Sequence, residues 1–282
     1  MKHLTFCALL VMGLQTLGTA QYPLSVESFP AVQEGLTTYR FYVNMSDPTD
    51  RMSAVYGNDQ AGMYINTPDG AYNSGFNSSW SASGINPAFL ASFPEMADDT
   101  YATVGLTGPA STSGITNAAD PSIVEDSVQP ITPYFQTDGS TMLESNTLTG
   151  ASWYILNTAG NGLPDENLQV LILQVTTAGG VSGTLNYQVF PLSVGADAVY
   201  MFESFNVEPQ EDVPGCTDPA SCTFNPEATV DDGSCEFLDA IGVCGGNCLV
   251  DADEDGVCDD NGGDDCDGVV DECGNCGGTG PD

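Results

Sequence analysis

Basic residues are almost missing from this chain. After residue 20 there is no histidine and no lysine, and the only cations are Arg40 and Arg51, against 39 Asp and Glu residues. Such a chain cannot build a Ser-His-Asp triad, a Cys-His pair, a Schiff base or a histidine metal site. The charge also argues against nucleic acid and anionic membranes as partners, because phosphate binding requires basic groups. Catalysis by two carboxylates is the enzymatic route that remains, so we predict a non-enzymatic protein.

Long apolar runs are also missing beyond residue 20. Before that point, Lys2 and His3 precede an apolar stretch, residues 4–17, and the small residues Gly18-Thr19-Ala20 follow it. This order is typical of a secretory signal peptide, and the apolar stretch is too short for a spanning helix. We therefore predict a signal peptide over residues 1–20 and a secreted, extracellular or cell-surface chain with no direct membrane insertion.

Cysteine is confined to Cys7 and the last quarter of the chain. In a secreted protein such clustering predicts a disulfide framework. Zinc is the alternative, since Cys273-Gly274-Asn275-Cys276 has the spacing of two zinc ligands. Apart from Cys7 there are nine cysteines, which is an odd number. Either one thiol is therefore free or the chain continues beyond Asp282 to a partner cysteine, and the abrupt end favours continuation. The nine cysteines are Cys216, Cys222, Cys235, Cys244, Cys248, Cys258, Cys266, Cys273 and Cys276.

Residues 21–206 carry the patterns of an all-β domain. Apolar residues alternate with polar ones from Tyr39 to Met45 and again from Val181 to Val189, as in half-buried strands. Residues 168–175 are nearly all apolar, which fits a central strand covered on both faces. The turn Thr177-Ala178-Gly179-Gly180 predicts that this strand forms an antiparallel hairpin with the next. We predict a jelly-roll-like β-sandwich.

Further elements complete this domain. Shorter strands are expected at residues 52–56, 101–106, 153–156 and 198–205. Asn86-Pro87 predicts the start of one short helix, with Asn86 as N-cap. Residues 107–150 are rich in Gly, Ser, Thr and Pro and are expected to form long loops.

An acidic linker with two prolines, residues 207–214, separates this domain from a Cys/Asp-rich tail, residues 215–282. The tail repeats itself: Asp232-Gly233-Ser234-Cys235 matches Asp255-Gly256-Val257-Cys258. Such units have almost no core, so crosslinks and ions must replace it.

Residues 251–259 carry acids at alternate positions followed by a glycine, the pattern of a calcium loop. Ca²⁺ takes about six to eight oxygen ligands, and Gly256 permits the turn that brings later ligands back to the ion. Gly262 stands where an EF-hand has its bidentate acid, so the loop is not an EF-hand. The predicted ligands are Asp251, Asp253, Asp255, the Val257 carbonyl oxygen and Asp259. A second, partial copy places further ligands at Asp265, Asp267 and Asp271.

These acids, with their glycines and cysteines, resemble the thrombospondin type 3 repeat, D-x-D-x-D-G-x-x-D-x-x-D, over residues 249–274. The resemblance implies a chain wound around a row of calcium ions and held by disulfides. Residues 215–235 in turn resemble a module of large secreted surface proteins of marine bacteria, which are modular and often adhesin-like. The first resemblance implies Ca²⁺ as the cofactor, and the second implies a modular, often adhesin-like extracellular chain.

Two side-chain groups in the β domain have alternative interpretations. Trp80 and Trp153 fit a carbohydrate-stacking platform, but core packing is the commoner role of tryptophan. Glu95, Asp98 and Asp99 fit a second calcium site or a catalytic acid, but a solvated loop is the expectation.

The sequence therefore predicts a secreted, calcium-binding surface or matrix protein, adhesin-like, structural or filament-forming, on a stiffened stalk. Besides calcium, its expected partners are an extracellular polysaccharide, another surface protein or a second copy of itself. The alternative is a carbohydrate-binding module or an accessory domain of a polysaccharide-degrading protein.

Overall fold

The computed structural model describes residues 21–77, 79–209, 213–251, 256 and 258. The predicted signal peptide, residues 1–20, lies outside this range. The chain divides into two compact units between Gln210 and Glu211, within the segment predicted as a linker. Among the described residues, no helix has both the length and the apolar character needed to cross a membrane.

The N-terminal unit is mainly β, as the sequence predicted. Its described residues form eleven strands: β1 (Leu24–Pro30), β2 (Thr37–Asn44), β3 (Arg51–Gly57), β4 (Met63–Ala71), β5 (Tyr101–Ala102), β6 (Ser122–Val124), β7 (Ser140–Ser145), β8 (Ala151–Tyr154), β9 (Gln169–Thr177), β10 (Val181–Phe190) and β11 (Val199–Val207). The α-helix α1 spans Pro87–Leu90, and short 3-10 turns occupy Ala82–Gly84, Pro94–Asp98, Ala110–Thr112, Thr132–Phe135, Gly160–Gly162, Pro191–Ser193 and Gly195–Asp197.

All eleven strands belong to one hydrogen-bonded network, and the pairs are antiparallel. Its main path runs β1-β2-β9-β4-β10-β3-β8-β6, while β11 pairs with β10, β5 with β9 and β7 with β4. The pairing joins the strands into a single sheet, so the finer division into two sandwich layers stays a prediction.

Several local predictions are confirmed. Strand β9 is buried from Val170 to Thr177, as expected for a strand covered on both faces. Helix α1 begins where expected, because the Asn86 side chain accepts a hydrogen bond from the Ala88 N–H at 3.0 Å. The region 107–150, predicted as loops, also contains strands β6 and β7.

The predicted hairpin between β9 and β10 is wrong. Both strands are fully described, and β4 lies between them in the sheet. Ala71 at the end of β4 pairs with Thr177, while Tyr64–Asn66 pair with Ser182–Thr184. The two glycines after Thr177 therefore redirect the chain from one neighbour of β4 to the other. The pairing of β4 with both strands has therefore determined their order, against the local sequence signal for a hairpin turn.

The core of this unit is one large apolar cluster, beside a smaller one of Ala82, Ile85 and Tyr101. The bulkiest members of the large cluster are aromatic, and Trp153, Tyr39, Phe41 and Tyr187 have no exposed surface. Strands β2, β3, β4 and β10 supply inward residues according to their period-two patterns, and β9 supplies residues from both of its faces. Burial of apolar area is therefore the main source of stability here.

The C-terminal unit has little regular structure. Its two short strands, β12 (Pro214–Gly215) and β13 (Val230–Asp231), pair in parallel. Within its described residues, 213–251, 256 and 258, the buried residues are Gly215, Cys216, Cys248 and the polar Ser221.

Candidate functional site

The predicted calcium site belongs to the C-terminal unit, and disulfides hold the described part of this unit together. The bonds Cys216–Cys235, Cys222–Cys244 and Cys248–Cys258 join six of the nine predicted cysteines. The first two overlap, since Cys222 lies inside the loop that Cys216 and Cys235 close. The disulfide prediction is confirmed for these six, whereas Cys266, Cys273 and Cys276, including the alternative zinc pair, lie outside the described residues.

Carboxylates in this unit accept hydrogen bonds from its backbone. These bonds fix the course of the chain, a role that a hydrophobic core has in a larger domain. The Asp239 carboxylate accepts hydrogen bonds from the N–H groups of Ile241, Val243 and Cys248 at 3.2, 2.7 and 3.2 Å. Hydrogen bonds from Ser234 likewise hold the pKa of Asp232 below its usual value. The acids thus organise turns as well as supplying negative charge.

The first predicted calcium loop is described at three positions. The Asp251 carboxylate accepts a hydrogen bond from the Gly256 N–H at 3.2 Å, and Gly256 has a φ of 82°. Glycine adopts this left-handed conformation without the strain that a side chain brings. The Cys248–Cys258 disulfide joins residues on either side of this hydrogen-bonded pair.

The other predicted ligands cannot be placed beside Asp251. Asp253, Asp255, Val257, Asp259, Asp265, Asp267 and Asp271 all lie outside the described residues. Within the described part of the chain, no three His, Cys, Asp or Glu side chains are grouped to hold a metal ion. The donors themselves, carboxylate and carbonyl oxygens, are those that Ca²⁺ prefers.

A shallow depression of about 820 Å³ lies beside these disulfides. It is lined by residues 235–240 and 245–249, among which Phe237, Leu238 and Leu249 are exposed. Isolated exposed apolar side chains are ordinary on protein surfaces, so this depression alone indicates no ligand.

The two tryptophans do not form an exposed platform. Trp153 is fully buried, and its Nε1–H donates to the carbonyl oxygens of Thr103 and Ile172, both at 3.2 Å. Trp80 is partly buried against the same core. Trp153 therefore offers no ring face to a sugar, because its indole is enclosed by the aromatic core.

The solvated loop expected at residues 95–99 is wrong for its last two acids. Asp98 is 3% exposed and accepts the N–H groups of Val32 and Gln33 at 3.0 and 2.8 Å. Asp99 is 1% exposed and binds the Ser74 N–H and the Asn77 side chain at 2.6 and 2.5 Å. These carboxylates anchor distant loops.

Burial changes the acidity of Asp99. Desolvation raises its pKa to about 7, although the hydrogen bonds from Asn77 and Ser74 act in the opposite direction. A carboxyl group that titrates near neutral pH is a feature of many catalytic acids. Here both carboxylate oxygens are already bound by the protein, so the geometry favours a structural role.

Exposed aromatic residues on β11 were not singled out by the sequence reasoning. Tyr200 and Phe202 are 53% and 59% exposed, on the opposite side of the strand from Met201 and Phe205. The sequence nevertheless indicates them, because Tyr200 and Phe202 occupy outward-facing positions of an edge strand, where polar residues are usual.

Comparison of the chain with protein-family models, with curated proteins and with solved structures gives no match. The resemblance to thrombospondin type 3 repeats therefore stays a prediction, based on the residues themselves.

Proposed function

We propose that this is a secreted, non-enzymatic surface or matrix protein, in which the β unit is displayed by a calcium-binding, disulfide-crosslinked stalk. One observation carries the proposal. The C-terminal unit has three disulfides and almost no buried apolar residues between 213 and 251. A unit of this kind is held by covalent bonds and fixed turns, which suit a spacer better than a catalytic site.

Calcium has a structural role in this proposal. The acids of residues 251–271 repel one another, and a divalent cation would neutralise them and fix the loop in one shape. The hydrogen bond from Gly256 to the Asp251 carboxylate and the Cys248–Cys258 disulfide would support such a loop by joining residues at its two ends. Asp251, Asp253, Asp255, Asp259 and the Val257 carbonyl would hold the ion.

Secretion is the cellular setting of the proposal. Three disulfides persist in an oxidising compartment, and the first twenty residues have the order of a signal peptide. The strong negative charge favours divalent cations as counterions in that setting.

Calorimetric titration of the full chain with CaCl₂ tests the proposal. We expect binding with a dissociation constant of roughly micromolar to millimolar, and its loss in Asp253→Ala/Asp255→Ala. The matched control is Asp59→Ala/Asp197→Ala, which removes two exposed carboxylates from the β unit. Equal calcium binding in all three proteins would refute a site at residues 251–259.

A second experiment tests the mechanical part of the proposal. We expect a chelator to increase protease cleavage after residue 210 and to enlarge the hydrodynamic radius of the wild type. The variant Asp253→Ala/Asp255→Ala should show neither change. A chelator that changes neither quantity would reduce the tail to an acidic spacer fixed by disulfides alone.

A further inference from the structure

The outward side of strands β3, β8, β10 and β11 forms an aromatic surface in the N-terminal unit. Antiparallel register aligns two rows across these four strands. The first row is Tyr154, Ala54, Gln188 and Tyr200, and the second is Ser152, Tyr56, Asn186 and Phe202. Residues paired across a sheet share a face, so the aromatic members point to the same side. We call this surface the tyrosine face: Tyr56, Tyr154, Gln188, Tyr200 and Phe202.

Contacts within the tyrosine face hold the rings of Tyr56 and Tyr200. The rings of Tyr56 and Tyr200 meet edge to face, with centroids 6.1 Å apart. The Gln188 side-chain amide donates to the Tyr200 hydroxyl at 2.9 Å. Rings held in this way lose little freedom when a ligand stacks on them, which favours binding.

The side chain of Asn186 stabilises the loop beside this face. Its amide donates to the carbonyl oxygens of Tyr56, Ala61 and Gly62 at 3.1, 2.9 and 3.1 Å. The turn at residues 58–62 is thereby tied to the centre of β10. The aromatic surface is therefore bordered by fixed backbone.

Charge distinguishes the tyrosine face from the rest of the molecule. Its two rows contain neither a carboxylate nor a cation, although the chain carries a formal net charge of −36. Arg51, at the end of β3, already donates to the Ala159 carbonyl and, at 3.4 Å, to the Ser193 hydroxyl. Arg40 donates to Gln174 and lies over the Phe29 ring.

These charges decide which occupant fits. An anionic polysaccharide would approach an acidic protein with no cation on this face to neutralise it. A second copy of the chain would bring the same negative charge, and a basic protein would be drawn to the acids elsewhere on the surface. A neutral sugar polymer meets none of these penalties, since its hydroxyls bind amides and phenols and its C–H faces stack on aromatic rings.

We propose that the tyrosine face binds a neutral polysaccharide, with Tyr200 and Phe202 as the stacking residues and Gln188 as the residue that positions Tyr200. The two rings sit two residues apart on one strand, so they follow one line about 7 Å long on the surface. This inference is independent of calcium binding by the C-terminal unit.

Affinity electrophoresis of the full chain tests the proposal. Each gel would contain one polymer: the neutral laminarin, mannan or xylan, or the anionic alginate. A polymer that retards the protein would then be titrated by calorimetry. We expect at least one neutral polymer to retard the wild type, and Phe202→Ala and Tyr200→Ala each to weaken its binding by about tenfold. Tyr200→Phe, which keeps the ring, should stay within about twofold of the wild type.

Phe89→Ala is the matched control, because Phe89 on α1 is an aromatic residue of similar exposure, 51%, outside the two rows. Its binding should equal that of the wild type, and unfolding midpoints would verify that every variant folds. The proposal is overturned if no neutral polymer binds, if alginate alone binds, or if Tyr200→Ala/Phe202→Ala binds normally. It is also overturned if sedimentation shows a dimer that Phe202→Ala abolishes, since the face would then serve self-association.

Discussion

The two units of this protein are stabilised by different means. The N-terminal unit has no cysteine between residues 21 and 210 and encloses a large cluster of fully buried aromatic and aliphatic side chains. The described residues of the C-terminal unit have three disulfides, and the side chains that they bury are those of Cys216, Ser221 and Cys248. A long segment can remove enough apolar surface from water to fold, whereas a short acidic one needs covalent closure.

Reduction of the disulfides should separate the two units most clearly. We expect a thiol reductant to unfold residues 213–251, because each bridge contributes about 3 kcal/mol by restricting the unfolded chain. The β unit should keep its protection, since it has no bridge to lose. Hydrogen exchange with and without reductant measures both units in one sample. Equal loss of protection in the two units would contradict the division.

Trp153→Ala should have the next largest effect, confined to the β unit. Removing a fully buried indole should lower the free energy of unfolding by about 3–5 kcal/mol, through lost burial and a residual cavity. Denaturant titration measures the change. Phe237→Ala in the C-terminal unit, where the ring is 51% exposed, should change it by less than about 0.5 kcal/mol. Similar costs for both variants would mean that the units share one core.

Acidity should affect the β unit through Asp99. Its carboxyl has a pKa of about 7 when folded, above the value of 3.8 for an unburied group, so the folded state binds the extra proton between these values. The free energy of unfolding should therefore decrease by up to about 4 kcal/mol as pH rises from about 4 to 7, and then level off. Asp99→Asn should lack this component, and Asp59→Asn, an exposed control, should retain it. A variant curve parallel to the wild type would remove Asp99 as the cause.

Asp239→Ala should produce the smallest effect, in the C-terminal unit. Three backbone N–H groups would lose their acceptor, although the disulfides would keep the chain closed. We expect about tenfold faster exchange of the amides of Ile241, Val243 and Cys248, corresponding to about 1.4 kcal/mol. Asp218→Ala is the control, since that carboxylate binds a different turn. Unchanged exchange would show that the bridges alone set this structure.

Local patterns in the sequence predicted much of the fold. The alternation of β2 and β10, the continuous apolar run of β9 and the Asn86 cap all rest on neighbours within a few residues. Strand β4 was missed because Pro68 and Gly70 interrupt its pattern. The predicted β9–β10 hairpin is wrong because β4, a strand far earlier in the chain, occupies the position between them.

Long-range contacts account for what the sequence left open at the candidate sites. Six cysteines allow about 15 pairings, and only the folded chain selects one. The burial of Asp98 depends on N–H groups of Val32 and Gln33, more than sixty residues away. The tyrosine face likewise exists only once β3 and β11 are aligned on either side of β10.

The overlapping disulfides also determine how this unit would respond to tension. A pull along the chain would pass through the Cys222–Cys244 bond, which leaves the 22-residue span between these positions unloaded. That span represents roughly 70 Å of extended chain, and the ten-residue span closed by Cys248–Cys258 adds roughly 30 Å. In the proposed stalk, such segments would reach their full length at a small extension and would then resist further stretching.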